Sequence, residues 1–322
     1  MGRSTAFAAL TTAILLLTGC TAEPPASTSS STLASTPPSG PLTLREALGD
    51  PTTADFCGLL DFAEIAKTHP LVGEPVIGMG ACSFRTEVAG SPALISFGFP
   101  EDRAKERLTG ATPVPEQALP RGLRMLRSDL RGQPLLHLLF TDDATLRVGT
   151  YYERRESREA VGPALLDVVT KAAEAAARSL AAGKQAAHLD YRDRSLARLD
   201  ACSALWSDGE ISERLGATVA GKGDLSKHHC VWGEQNAERL VRLEFGLGPH
   251  PKATTGVREE TLSGRESFVQ EVSGGCTVLT GHIGGPDPGR NQVEHVVLAV
   301  QAPNACDVAR ALANSAWPKL PT

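Results

Sequence analysis

The chain has 322 residues, of which 41% are hydrophobic and 21% charged, a balance typical of a globular protein with room for two ordinary domains. Its formal net charge is −5, and about −6 once Arg3 is removed with the leader described next. This acidic balance argues against nucleic acid and against a polybasic membrane surface, because both need clustered Lys and Arg.

The first twenty residues predict export. Arg3 provides a charged start, Ala6 to Leu17 form an apolar run, and small residues surround a cleavage point before Cys20. Leu17-Thr18-Gly19-Cys20 resembles the lipobox of bacterial lipoproteins, which implies that Cys20 becomes a lipidated first residue carrying diacylglycerol and palmitate. The alternative is an ordinary secretory signal with a chance cysteine. We expect a signal peptide over residues 1–19 and a lipid anchor at the extracytoplasmic face of the cell membrane.

The mature chain is predicted to begin with a tether. Thr21 to Pro41 consist almost entirely of Ser, Thr, Pro and Ala, with Leu33 as the one large apolar residue. Such a segment buries too little surface to offset the entropy lost on ordering. We therefore expect residues 20–45 to be a disordered tether, with no membrane-spanning segment following the leader.

The remainder of the chain repeats itself. CGLLDFAEIA, from Cys57, matches CSALWSDGEIS, from Cys202, and Cys82-Ser83-Phe84 matches Cys230-Val231-Trp232. Fifteen residues after Cys82 and after Cys230, an aromatic residue precedes a glycine. The repeat predicts a first domain over 46–183, an exposed linker over 184–200 and a second, related domain over 201–322.

A second gapless stretch, in a different register, continues the match. It sets Leu130-Arg131-Gly132 against Leu262-Ser263-Gly264, with Gly149 and Gly281 seventeen residues further on. In this alignment Cys276 falls opposite Ala144, and setting Pro163 against Pro303 places Cys306 opposite Leu166. The second copy would thus have a bridge where the first has two apolar residues.

Six cysteines remain after Cys20, and in an exported chain an even number indicates disulfides. If bridges stay within a copy, Cys57 pairs with Cys82. Correspondence then pairs Cys202 with Cys230 and leaves Cys276 for Cys306. A metal site is the competing interpretation, but no CxxC or HxxxH spacing occurs, and we predict no metal and no cofactor.

Residue periodicity predicts an α+β fold in which each domain is an antiparallel sheet with an N-terminal and a C-terminal helix. The expected helices are 57–68, 162–182, 203–215 and 304–317, with Asn304 as a cap and Gly216 as a stop. The expected strands are 92–99, 135–140, 146–152, 239–247, 267–272, 277–283 and 293–300.

Few residues of the sequence indicate a catalytic or ligand-binding site. Gly216 to Lys222 match the start of a phosphate-binding loop, but Gly223 replaces the magnesium-binding Ser or Thr, so a flexible loop is expected. The remaining candidates each have a structural alternative. We expect His137 to be packed or hydrogen-bonded, and His228 and His229 to lie in the loop before Cys230. Glu64 and Glu210 are expected to cap helices or be solvated. Trp206 and Trp317 are candidates to line a ligand pocket, and Trp232 is expected to be core. No catalytic residue is assigned, although carboxylates distant in sequence can still form a site.

The lipobox, the tether, the Cys-x-x-Leu and Glu-Ile pattern at Cys57 and Cys202, and Cys230-Val231-Trp232 together resemble actinobacterial lipoproteins whose domain has no assigned function. The resemblance is better over Cys202 to Trp317 than over Cys57 to Leu180. It implies an envelope lipoprotein that binds something. We expect a non-enzymatic binding or accessory module for a small ligand, envelope polymer or envelope protein. Alternatives are a hydrolase of envelope components and a structural partner of a membrane assembly.

Overall fold

The computed structural model describes residues 40–102, 108, 111–114, 119–130, 133–152, 158–234, 237–272 and 274–322. The predicted signal peptide, the lipidation site Cys20 and the predicted tether up to residue 39 lie outside the described residues. The end of the predicted tether is folded instead, since Leu42 and Leu44 are buried in the core.

One antiparallel sheet organises residues 40–183, which we call the first half. Buried and less buried side chains alternate along its strands, as expected of a sheet with one face on a core. Its strands are β2 (Val76–Ile77), β3 (Ala81–Val88), β4 (Ser91–Glu101), β5 (Thr112–Pro113), β6 (Arg124–Leu130), β7 (Gln133–Leu139) and β8 (Thr145–Tyr152). Its helices are α1 (Leu44–Leu48), α2 (Phe62–Ala66) and α3 (Arg158–Ala181), and β1 (Ala54–Asp55) lies outside the sheet.

A second seven-stranded sheet organises residues 201–322, the second half. Its strands are β10 (Gly221–Gly223), β11 (His229–Trp232), β12 (Leu240–Gly248), β13 (Val257–Leu262), β14 (Arg265–Val272), β15 (Gly275–Gly284) and β16 (Val293–Gln301). Its helices are α4 (Asp208–Leu215) and α5 (Ala305–Ala316). Between the halves, β9 (Ala187–His188) pairs with β1.

The two sheets have the same strand order. It is β2-β3-β4-β8-β7-β6-β5 in the first half and β10-β11-β12-β16-β15-β14-β13 in the second, with antiparallel neighbours throughout. The long helix α3 packs against β7 and β8, and α5 packs against β15 and β16, which occupy the same places in the order. Helices on antiparallel sheets confirm the α+β class.

The register of the sheets contradicts the gapless alignment. Across the first sheet Cys82 lies level with Phe97, Val148 and Leu136. Across the second, Cys230 lies level with Leu243, Leu298 and Val278. Cys276, two residues before Val278, therefore corresponds to Pro134 and not to Ala144.

The difference in register has a simple origin. In the first half β3 and β4 are long and joined by a tight turn at Ala89 and Gly90, both of which have positive φ. In the second half β11 is only four residues long and a longer connection leads to β12. The same number of residues separates Cys82 from Phe97 and Cys230 from Phe245. In the first half more of these residues belong to strands, and in the second half more belong to the loop. Likewise Gly264 lies in the turn between β13 and β14, which correspond to β5 and β6 in the strand order.

The predicted helices exist with changed boundaries. The first is reduced to a 3-10 turn, Cys57–Leu59, followed by α2, whose start is capped by the side chain of Asp61. In the second half α4 begins at Asp208 behind a capping box of Ser207 and Glu210, and Gly216 ends it with φ 60°. Helix α3 begins four residues before its predicted start, so Pro163 lies inside it. Strands β3, β6 and β13 were not predicted from the sequence.

The linker is folded into the body of the protein. Ala186, Tyr191, Ser195, Leu196 and Ala197 are buried, so the expectation of an exposed segment is wrong at these positions. The buried carboxylate of Glu294 accepts a hydrogen bond from the amide of Leu196 at 2.7 Å. The described residues belong to one compact unit, and buried side chains from both halves form one contiguous hydrophobic cluster.

Three disulfides join Cys57 to Cys82, Cys202 to Cys230 and Cys276 to Cys306, which is the pairing expected from the repeat. The first two attach the segment before each sheet to β3 and β11. The third joins the start of β15 to the start of α5. Bridges of this kind persist in oxidising compartments, so the protein is extracytoplasmic.

Candidate functional site

A cleft of about 520 Å³ opens beside the contact between the two halves. The first half contributes α1 and the residues just after it, Asp102 beyond β4, and the turn between β7 and β8, while the second half contributes Leu225. The volume lies in the range of small-molecule sites. The lining residues are Leu44, Arg45, Leu48, Gly49, Asp50, Pro51, Asp102, Asp142, Ala144 and Leu225.

Helix α1 is held in place at both ends. The side chain of Thr43 accepts the amide of Glu46 at 3.2 Å, and the carboxylate of Asp142 accepts the amide of Leu44 at 3.1 and 3.2 Å. At the other end Gly49 adopts φ 66°, and a Cβ there would lie 3.0 Å from His188 Nε2. The amide of Ala186 in the linker donates to the carbonyl of Ala47 at 3.1 Å, so one wall of the cleft is fixed by bonds that join α1 to the turn after β7 and to the linker.

The cleft combines an apolar base with acidic walls. Leu44, Leu48 and Ala144 are buried, whereas the three aspartates of the lining are exposed. Arg45 is the one basic residue among the lining residues, which include three aspartates, and the carboxylate of Asp142 also caps α1. Hydrogen bonds from Thr52 lower the pKa of Asp50 against the opposing effect of burial. The lining suits a ligand with an apolar body and a positively charged group.

The contact between the halves, which we call the seam, adjoins this cleft. The amide of Leu225 donates to the carbonyl of Pro100 at 2.8 Å. Arg290 donates to the carbonyl of Pro75 at 3.2 Å, and the side-chain amide of Gln292 donates to that of Ile77 at 3.1 Å. A further close approach joins the buried Ser226 to Gly80, where a Cβ would lie 3.1 Å from Ser226 Oγ.

Charged side chains gather at the seam around Arg147 of β8. Its guanidinium lies 3.5 Å from the carboxylate of Glu101 and 5.0 Å from the centre of the Phe99 ring. From the second half, Asp224 and Glu244 interact electrostatically with the same guanidinium. We call Glu101, Arg147, Asp224 and Glu244 the seam cluster.

Burial changes the acidity of this cluster. Burial raises the pKa of Asp224 to about 6, and the charge of Glu101 adds to the effect, while Ser226 and Arg147 act in the opposite direction. Burial also raises the pKa of Glu244 against the lowering effect of Arg242 and Arg147. One carboxylate oxygen of Asp224, Oδ2, is buried and makes no hydrogen bond to any described residue.

Most candidates from the sequence have structural roles. His137 is buried in β7 beside Ser128, 2.9 Å from Nε2 to Oγ, as predicted. Glu210 completes the capping box of α4, and Glu64 accepts a hydrogen bond from Lys67. Trp206, Trp232 and Trp317 are all buried, with indole donors bound to Ser315, Asp208 and Ser267 respectively.

Two expectations about loops hold in part. His228 lies in the loop between β10 and β11 but is buried, with its Nε2 3.3 Å from the carbonyl of Ala197 in the linker, whereas His229 begins β11. In the segment that resembles a phosphate-binding loop, Gly216 caps α4, residues 217–220 form a loop, and Gly221 and Lys222 begin β10. The cleft residues and the seam cluster were not singled out from the sequence, and no local motif marks them, since they come from segments that are far apart.

Comparisons with known proteins leave the family open. No protein-family model matches the chain, and no curated protein sequence matches it. Among solved structures, that of MucB in complex with MucA(peri) covers 79% of this chain and 69% of its own, at 13% identity and a TM-score of 0.17. The MucA/MucB complex of Pseudomonas aeruginosa covers 80% of this chain and 67% of its own, at 14% identity and a TM-score of 0.15. Likeness at this level carries no conclusion about function.

Two features are absent from the part of the chain that the structure describes. None of its helices combines the length and apolar character needed to cross a membrane. Within the same ranges, no group of three or more His, Cys, Asp or Glu side chains is arranged to hold a metal ion.

Proposed function

We propose that this protein is a lipid-anchored, non-enzymatic binding module of the cell envelope, which uses the cleft beside the seam to bind a ligand with an apolar body and a cationic group. The cleft carries the proposal, because it joins a buried apolar base to acidic walls on segments fixed by capping hydrogen bonds. A site of this kind is preformed, so binding need not order a loop.

We further propose that the two halves are related domains produced by duplication and carried on a lipidated Cys20 by the tether. The shared strand order and the corresponding bridges from Cys57 and Cys202 support this relation. The lipobox resemblance supports the anchor. Mass spectrometry of the protein from its own membrane tests it: the first residue should be Cys20 bearing acyl chains, and an unmodified or uncleaved terminus would contradict it.

Native mass spectrometry of the protein extracted gently from its host membrane tests for binding. We expect a discrete extra mass that is lost when the same sample is denatured. A co-purifying protein would favour the accessory role instead. A bare protein carrying lipid and three bridges would contradict a tightly held ligand.

Charge reversal in the cleft tests the site itself. Asp50→Lys places a cation on an acidic wall and should reduce the fraction of protein carrying the extra mass about tenfold, by repulsion of the cationic group. Asp193→Lys makes the same change of net charge at a fully exposed linker carboxylate and should leave that fraction unchanged. Equal loss in both variants, or no loss in either, would count against the cleft.

The alternatives predict different results. A hydrolase of envelope components would release products from envelope material, and its activity would fall with Glu64→Ala or Glu210→Ala only if one of these glutamates were catalytic. A structural partner would bind through an apolar surface. Among the described residues the large exposed hydrophobic side chains are Val72, Val76 and Val272. These positions offer substitutions to test such a surface.

A further inference from the structure

The seam is built around a carboxyl group that has to be desolvated for the halves to meet. Asp224 lies in the connection between β10 and β11, and the next two residues, Leu225 and Ser226, make the contacts to Pro100 and Gly80 described above. Ser226 Oγ donates to Asp224 Oδ1 at 2.8 Å, which leaves Oδ2 buried without a hydrogen bond from the described residues. An ionised carboxylate in this position is unfavourable, whereas a neutral carboxyl group is tolerated.

Charged groups of both signs lie around Asp224. Glu101 and Arg147 face it from β4 and β8 of the first half, and Glu244 shares the same guanidinium from β12. His228, whose backbone amide is directed towards Asp224, has a pKa lowered by its own burial and brings no charge at neutral pH. With Asp224 desolvated and the charge of Glu101 opposing its ionisation, the closed seam favours the state in which Asp224 keeps its proton.

We propose that the seam cluster is a proton-operated latch: a proton on Asp224 holds the halves together beside Gly80, and its loss loosens the contact between residues 224–226 and the first half. Leu225 and Asp102, which line the cleft, are the immediate neighbours of Asp224 and Glu101. The latch therefore sets the shape of the cleft, although it does not depend on what the cleft binds.

The direction of the effect follows from the two protonation equilibria. In the closed seam Asp224 has a pKa of about 6, and once the seam loosens and water reaches it, its pKa approaches the ordinary value of 3.8. Between these values the closed state binds more protons than the loosened one, so closure is favoured as pH falls and opposed as pH rises. The opening equilibrium should rise about tenfold between pH 5 and pH 7.5.

Amide hydrogen exchange of the full mature chain measures this opening without any ligand. The amide of Leu225 crosses the seam to Pro100, and the amide of Leu42, which donates to Arg121 within the first half, is the internal control. After correction for intrinsic exchange, protection at Leu225 should fall about tenfold from pH 5 to pH 7.5, while that at Leu42 changes little. A pH-independent protection at Leu225 would overturn the latch.

Two variants separate a latch from mere packing. Asp224→Asn is neutral at every pH and should keep Leu225 protected at both values, whereas the matched control Asp193→Asn should behave as the parent protein does. Glu101→Gln removes a repulsive charge and frees Arg147, so the midpoint of the change should move to lower pH. Persistence of the pH dependence in Asp224→Asn would refute the proposal. If Asp224→Asn does not fold, an unchanged midpoint of the pH dependence in Glu101→Gln would also refute the proposal.

Discussion

At the scale of single residues, the buried polar groups decide how the protein responds to pH. His137 and Asp224 are both desolvated, but their charged forms have opposite signs, so burial lowers one pKa and raises the other. The two groups therefore contribute opposite slopes to stability below neutral pH.

The contribution of His137 has a definite sign. Burial, with the nearby charge of Arg147, lowers its pKa from 6.5 to about 4. Between these values the unfolded chain binds more protons than the folded one, so the stability that His137 contributes is present at neutral pH and lost as pH falls. We expect His137→Gln, which can keep the bond to Ser128, to remove a pH-dependent loss of about 2 to 3 kcal/mol between pH 7.5 and pH 4.5.

Urea unfolding at the two pH values measures this effect. The quantity to compare is the change in the free energy of unfolding with pH, in the parent protein and in the variant, since the contribution of Asp224 is common to both. Identical pH dependence in the two proteins would show that His137 is not protonated on unfolding.

At the scale of elements, the beginning of α4 depends on its capping box. Ser207 Oγ accepts the amide of Glu210 at 3.2 Å, and the Glu210 carboxylate accepts the amide of Ser207 at 2.6 Å. We expect Ser207→Ala to lower the free energy of unfolding by about 1 kcal/mol, because it leaves a helix amide without its acceptor. Ser203→Ala, before the helix, should change it by less than about 0.5 kcal/mol. Equal effects in a urea titration would contradict the capping role.

The third disulfide offers a test of how α5 is held. It closes a loop of 30 residues from β15 to α5, whereas α3 of the first half packs on β7 and β8 without such a bridge. Replacing Cys276 and Cys306 together by Ser should lower the free energy of unfolding by about 3 kcal/mol. Calorimetry of the double variant measures the loss, and an unchanged transition temperature would mean that the packing of α5 alone determines its stability.

At the scale of the whole molecule, the halves share a core and a folded linker. Glu294 of β16 holds the linker at Leu196, the linker strand β9 pairs with β1 of the first half, and the hydrophobic cluster continues across the seam. These contacts couple the stability of one half to that of the other.

A calorimetric scan tests the coupling. We expect the chain to unfold in one transition whose calorimetric and van't Hoff enthalpies agree, since separating the halves exposes shared apolar surface. Glu294→Ala leaves the buried amide of Leu196 without its acceptor and should lower the transition temperature. Two resolved transitions in the parent protein would contradict the coupling.

Much of the local structure could be predicted from the sequence. Alternating side chains identified β4, β7, β8, β12, β14, β15 and β16 to within a few residues, and the repeated cysteines indicated the three pairs that the structure contains. Strands such as β6 and β13 escaped because their charged residues interrupt the apolar pattern. Short-range periodicity reports which face of an element is buried, but not which strand lies beside it.

The sequence by itself determined the composition, the cysteine pattern, the repetition and the α+β class, because each of these is written in neighbouring residues or in short spacings. Only the tertiary structure decided the register in which Cys276 corresponds to Pro134 of the other sheet, the burial of the linker, the cleft and the seam cluster. Asp224 lies 77 residues from Arg147 along the chain, and the fold brings the two close enough to interact. The acidity of such a group is set by the water and charges around it, which the fold supplies.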